Sequence, residues 1–303
     1  MQTFNIFMLI MSFGVGIFGA TIGGLATFVM TGVIAASEAV CSLTGATGGV
    51  ANTFELAFQL FPPNVFFVSA AGAAAISARR GTQEHGEDMI RSVYGNMDPV
   101  ALLGGGIIGA VSYCLRLLTE TAGFQSIFPT DSVCAVAIPL MILIRLVFGK
   151  SGLTGNKELR AKDHGGYVPK GARLANDIIL GLACGAMVSG LTAMLYEMGV
   201  DVSPLPVFFF GVGAITLVFM WGGSSLPCTH HIVNQACYGA VLALTVAHMS
   251  TGGAVAVGIV TGIATSVLGD ILGMTFNSYH DTHIDPPAFA ILLVQLVLGW
   301  IFL

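Results

Sequence analysis

Charged side chains embedded in apolar sequence are the first candidates for chemistry, because placing one at the centre of a bilayer costs roughly 2.5–3.5 kcal/mol on insertion scales. Asp270 lies within TGIATSVLGDILGMTF, far from either end of an apolar run. Two roles fit it: an ion or proton site, or a packing partner for a neighbouring helix. Glu38, in GVIAASEAVC, is of the same kind but stands nearer an expected loop. Arg116 and Arg145 fall near the ends of apolar runs, where a long side chain is expected to snorkel to water. Gln295 is expected to bond across helices.

The densest polar cluster in the second half of the chain is Leu226–Tyr238, with Cys228, Thr229, His230, His231, Asn234 and Gln235 between two apolar runs. If it is helical from Thr229, His230 shares a face with Asn234, and His231 with Gln235, at i,i+4 spacing. A helix starting there aims backbone N–H groups and two imidazoles into a cavity, an arrangement suited to an anion or polar solute. The alternative is a cytoplasmic loop with solvated histidines.

A third cluster runs from Tyr279 to Pro287. His280, Asp281 and His283 offer imidazole nitrogen and carboxylate oxygen to a divalent metal, or a histidine–carboxylate proton relay. Asp285 precedes Pro286 and reads as a helix N-cap followed by proline at the first helical position; Asp98 before Pro99 repeats the arrangement.

No enzyme signature stands beside these clusters. The sequence has no P-loop, HExxH, GxSxG or CxxCH, and Gly104–Gly106 lack the strand and acidic partner of a dinucleotide site. The segment 150–173 holds His164, Gly165, Gly166 and Tyr167 but no catalytic set. Neither an enzyme nor a cofactor is expected. No basic run suits nucleic acid. The six cysteines show no CxxC spacing and read as small buried side chains.

The elements that carry these residues follow from composition. Of 303 residues, 55% are hydrophobic and only 9% charged, with a mean hydropathy of +0.86; soluble domains carry about 25% charged residues. A lipid bilayer is therefore the expected surroundings, and there only helices or closed barrels satisfy the backbone. The apolar runs are continuous and do not alternate as barrel strands do, so the expected class is an all-α, polytopic integral membrane protein. At roughly 20 residues per span, the candidates are 5–27, 62–78, 100–118, 130–149, 174–196, 205–221, 232–249, 254–275 and 286–303, eight to ten transmembrane helices in all. The first run continues to Ala36, so it either tilts or breaks near Gly23-Gly24. It is read as a retained first helix, not a cleaved signal. Residues 37–60 read as a loop with an amphipathic piece at 54–60.

The segment 150–173 is expected to be solvated, and its Lys and Arg place it in the cytoplasm. Arg79, Arg80 and Arg91 mark a second cytoplasmic loop. Turns bearing Glu120, Asp131, Glu197 and Asp201 belong opposite. The chain thus divides into 1–149, the basic segment 150–173, and 174–303. Likenesses between 102–118 and 179–195, and between 64–77 and 206–219, suggest an internal duplication of helical hairpins. Transporters built from repeats place their solute near the repeat axis. The expectation is a secondary transporter or permease moving a small polar or ionic solute with H⁺ or Na⁺, lined by Asp270 and the 228–235 cluster, in a prokaryotic inner membrane. The alternative is a membrane subunit of a larger ion-pumping or electron-transfer complex. Its partners would be lipid, the solute, and a second copy or other membrane subunits.

Overall fold

The computed structural model describes residues 3–303. Among them 73% are helical and no strand occurs. The helices are α1 (Ile6–Ile22), α2 (Gly24–Leu43), α3 (Gly49–Leu60), α4 (Phe66–Arg80), α5 (Pro99–Thr119), α6 (Ala122–Ile127), α7 (Ser132–Phe148), α8 (Lys157–Lys162), α9 (Ala172–Glu197), α10 (Leu205–Ile215), α11 (His230–Thr245), α12 (Thr251–Phe276) and α13 (Pro286–Phe302). A 3₁₀ stretch, Thr216–Gly222, prolongs α10. Five of these runs are long and apolar enough to cross a membrane: α2, α5, α9, α10 with its 3₁₀ extension, and α12. Helices α1, α7 and α13 are apolar but shorter.

Local chemistry sets the ends. Asp98 caps α5 by accepting from the Val100 and Ala101 amides, and Asp285 caps α13 by accepting from the Ala288 amide at 2.7 Å. Both are followed by proline, as expected. Asn5, Asp131 and Ser250 cap α1, α7 and α12 in the same way. The long first run breaks at Gly23, whose φ of 90° favours glycine. A Cβ there would also lie 3.0 Å from the Arg91 carbonyl oxygen.

Two helix pairs form the backbone of the packing. Helix α1 lies on α5 and α9 lies on α12. Small residues make these approaches possible, because without a side chain the two backbones can come close. A Cβ on Gly181 of α9 would sit 2.5 Å from the Ile263 Cα and 2.7 Å from the Gly262 oxygen. Helices α2 and α10 pack on each other across the middle of the bundle, and α7 meets α13.

The bundle has two distinct ends. One gathers the end of α4, the start of α5, the end of α7, the segment 149–171, the start of α9 and the end of α12. Asp281, after α12, accepts from the Lys150 amide and from Ser151, and its carbonyl lies beside Gly86. Both basic segments therefore share this basic end. The far end holds α3, α6, the start of α7 and the turn between α11 and α12.

Several expectations need correction. Residues 37–43 continue α2 and 49–60 form α3, so most of the expected loop is helical. The segment 150–173 is mostly exposed, as expected, but it is anchored through Arg160, which is 4% exposed, donates to the Thr154, Gly166 and Ser278 carbonyls, and lies 4.2 Å from the Tyr167 ring. Arg145 does not snorkel; at 1% exposure it is wholly inside. Arg116 pairs with Glu120 one turn on, at 2.6 Å. Helix α4 begins at Phe66, beside Gly19 of α1, and not at 62.

Candidate functional site

Helix α11 begins inside the bundle. Its first residue, His230, presses on Gly213 of α10, where a Cβ would come 2.6 Å from the His230 Cα. Thr229 at the N-cap makes no side-chain cap bond; its carbonyl accepts from the Ile232 and Val233 amides, which leaves the His230 and His231 amides uncapped at the helix start. The His230 ring centroid lies 4.6 Å from Phe28 and 5.7 Å from Phe210. His231 meets His230 edge-on at 5.4 Å. His231 reaches α12 at Gly269, where a Cβ would fall 2.6 Å from its Nε2. Both histidines are at least nineteen-twentieths buried, at 2% and 5% exposure. Neither ring nitrogen of His230, nor Nδ1 of His231, has a hydrogen-bond partner among the described residues. The solvated-loop alternative for these histidines is thereby set aside.

A cavity of about 350 Å³ opens beside this helix start, lined by His231, Cys228, Asp285, His283, Asp270 and Asp177. A second pocket of about 130 Å³ shares Cys228, His283 and Asp285 and extends to His230 between Phe28 and Phe67. Asp285 thus stands at the junction of both spaces. Its carboxylate faces His283 Nε2 at 3.4 Å, and its backbone N–H donates to Met141 Sδ in the middle of α7.

The other candidates are spread more widely. Asp270 borders the cavity, but it is no lone charge: Arg173 of α9 forks onto both its oxygens. Asn234 and Gln235 point away from the cavity. The Asn234 amide donates to the Pro206 carbonyl at 2.9 Å, and the Gln235 amide donates to Asn234 Oδ1 at 2.7 Å and to Gln295 Oε1 at 3.3 Å. That last bond is the cross-helix role expected of Gln295. Glu38 accepts from Ser42 on the surface of α2, in a separate recess with Glu55. His280, Asp281 and His283 do not converge. Asp281 serves Lys150 and Ser151, and no group of three His, Cys, Asp or Glu placed to hold a metal ion occurs among the described residues. In the Asp281 carboxyl, burial pushes the pKa up, but the Ser151 hydroxyl and the Lys150 and Ser151 amides outweigh it and hold it below the usual range. Burial, reinforced by the Arg145 charge, pushes the His280 imidazole down to about 3, so it stays neutral.

The loop that presents His283 and Asp285 is held from below by Arg145. Its guanidinium donates to the Thr282 hydroxyl and carbonyl at 2.9 and 2.6 Å, to the Leu153 carbonyl at 2.9 Å, and to the Phe276 carbonyl at 2.5 Å. Phe276 ends α12, where unpaired carbonyls and the negative end of the helix dipole favour a cation.

Sequence reasoning passed over Asp177, Arg173 and Arg145 as parts of this site. Asp177 carried a usable signal, being a carboxylate inside the proposed span 174–196 and one helical turn from Arg173. The chain belongs to a family of unknown function, DUF7973, whose model matches residues 1–179 and 163–303. No curated protein and no solved structure matches it.

Proposed function

We propose that the chain is an integral membrane secondary transporter that moves a small polar or ionic solute through the cavity at the start of α11. One observation carries the reading: two deeply buried imidazoles without partners stand at an uncapped helix start beside a roughly 350 Å³ cavity. Burying a polar group without a hydrogen bond is unfavourable by about 1–3 kcal/mol on protein scales, so a site that keeps several such groups is best explained by a ligand that completes them. The uncapped amides suit an electron-rich group on the solute. Three carboxylates, Asp177, Asp270 and Asp285, border the same space against one guanidinium, Arg173. That acidic surplus favours a coupling cation, H⁺ or Na⁺. The basic end faces the cytoplasm by the distribution of Lys and Arg.

The repeat that packing supports pairs α1 with α9, α2 with α10, α4 with α11, α5 with α12 and α7 with α13. It replaces the pairings suggested by the likeness of 102–118 to 179–195 and of 64–77 to 206–219. Under it, α1 on α5 answers α9 on α12, α4 on α5 answers α11 on α12, and α5 beside α7 answers α12 beside α13.

Binding tests the site. Melting of the purified protein in detergent is followed against a panel of small carboxylates, phosphate, amino acids and amines. A ligand present at 100 times its Kd stabilises the fold by about 2.7 kcal/mol. At least one class should raise the melting temperature, and His230→Ala with His231→Ala should abolish that rise. No stabilisation by any class, or a rise kept in the double variant, overturns the proposal.

A further inference from the structure

The two ends of the bundle are unequal, and a second pocket makes the inequality informative. It has a volume of about 80 Å³ and is lined by Pro63, Asp131, Cys134, Phe210 and Asn234, among others. It lies at the far end, where α7 begins. We propose that this pocket is the closed second mouth of one pathway through the bundle, and that the cavity at Asp285 is its open first mouth. The inference rests on the transporter reading for its purpose, and on separate geometry for its substance.

The geometry is that of inverted repeats. Helix α1 starts beside the end of α5, with Asn5 and Tyr113 bonded, and so starts at the far end. Its counterpart α9 starts at the basic end, with Arg173 on Asp270. Helix α4 ends at the basic end, whereas α11 ends at the far-end turn into α12. Helix α7 runs from the far end to the basic end, and α13 runs back, with Gly299 against Pro129, just before α7. Each pair is antiparallel, as a two-fold axis in the membrane plane requires.

That axis exchanges the two mouths. Asp285 caps α13 through the amide three residues on, at 2.7 Å; Asp131 caps α7 through the amide three residues on, also at 2.7 Å. Asp285 lines the large cavity and Asp131 the small pocket. Pro227, before α11, borders the first; Pro63, before α4, borders the second. Between them stands a wall of rings. Phe210 faces the small pocket on one side, and on the other lies 5.7 Å from both Phe28 and His230. Phe28 packs on Phe67 at 5.4 Å, and Phe67 on His283 at 5.6 Å. A solute at His230 therefore has one barrier ahead of it, and Phe210 is its last ring. Exchange of the two halves' conformations would open the Asp131 mouth as the Asp285 mouth closes.

Native cysteines report on each mouth: Cys228 in the large cavity and Cys134 in the small pocket. Two variants keep only one of them, the other five being replaced by serine. They are reacted in sided membrane vesicles with a membrane-impermeant charged thiol reagent. Lys157→Cys marks the basic end and Ser126→Cys the far end, each in a cysteine-free background. Cys228 should react from the Lys157 side only. Cys134 should react from the Ser126 side only, slowly, and Phe210→Ala should speed it by roughly tenfold, a shift of about 1.4 kcal/mol in opening. Reaction of Cys134 from the Lys157 side, or none from either side even with Phe210→Ala, overturns the two-mouth pathway. Labelling needs no solute, so the two mouths stand or fall independently of the binding panel.

Discussion

Replacing Arg145 by methionine should destabilise the protein far more than its lone charge suggests. The methionine fills much the same volume but donates nothing. Three carbonyls, Leu153, Phe276 and Thr282, and one hydroxyl lose a donor at 2.5–2.9 Å; the two Thr282 acceptors are buried and the other two are partly so. An orphaned buried acceptor is unfavourable by about 1–3 kcal/mol, so the two Thr282 acceptors at the lower end of that range, with a smaller share from the two partly buried carbonyls, give about 3 kcal/mol. At roughly 2–4 °C per kcal/mol, the melting temperature in detergent should fall by about 10 °C. Arg145→Lys keeps a cation at the end of α12 but cannot fork to acceptors on three strands of chain, and should lose about half as much. Melting is read from Trp221 and Trp300 fluorescence. Because the loop from 277 to 285 hangs from Arg145, the methionine variant should also react faster at Cys228. A methionine variant that melts within about 2 °C of the parent, at unchanged Cys228 reactivity, would refute the positioning role.

Three further outcomes follow from single contacts. Gly181→Val forces a side chain into the Ile263 and Gly262 backbone and should destabilise by about 3 kcal/mol or more, measured by thermal melting, since overpacking alone reaches 1–3 kcal/mol. Gly269→Ala brings a methyl against His231 Nε2, so it should weaken solute binding in the melting panel while the ligand-free melting temperature stays close to the parent's. His280 titrates in the unfolded chain near its ordinary value of 6.5 and in the folded one only at about 3. The unfolded form therefore takes up the proton first: this contribution to stability is complete above pH 6.5 and is lost as pH falls towards 3. His280→Gln should flatten that part of the melting curve's dependence on pH, and an unchanged slope would contradict it.

The parts of the fold that local chemistry decides were legible in the sequence. Asp98-Pro99 and Asp285-Pro286 announce capped helix starts, and Gly23-Gly24 a break, because each depends on its immediate neighbours. The polar run from Cys228 to Gln235 stood out against apolar sequence, and its helix begins within one residue of Thr229. What stayed hidden depends on distant partners. Arg145 looks like a snorkelling side chain until its acceptors, up to 137 residues away, are in place. Asp270 looks like a solitary buried charge until Arg173, 97 residues before it, forks onto it. The basic segment reads as solvent-exposed, and most of it is; the anchor that stayed hidden is Arg160, which depends on carbonyls at and just after the end of α12. Asn234 and Gln235 share the expected helix faces with the histidines, yet one turn further along they meet α10 and α13, away from the large cavity.

Counterflow by the purified chain alone tests the central claim most directly. Liposomes holding the chain and a high internal concentration of the solute found by the melting panel are diluted into its labelled form. Transient accumulation of label, enhanced by an inward H⁺ or Na⁺ gradient and lost in His231→Ala, is the predicted result. Binding without accumulation in the parent protein would contradict a transporter and leave the chain a membrane subunit that needs partners to act.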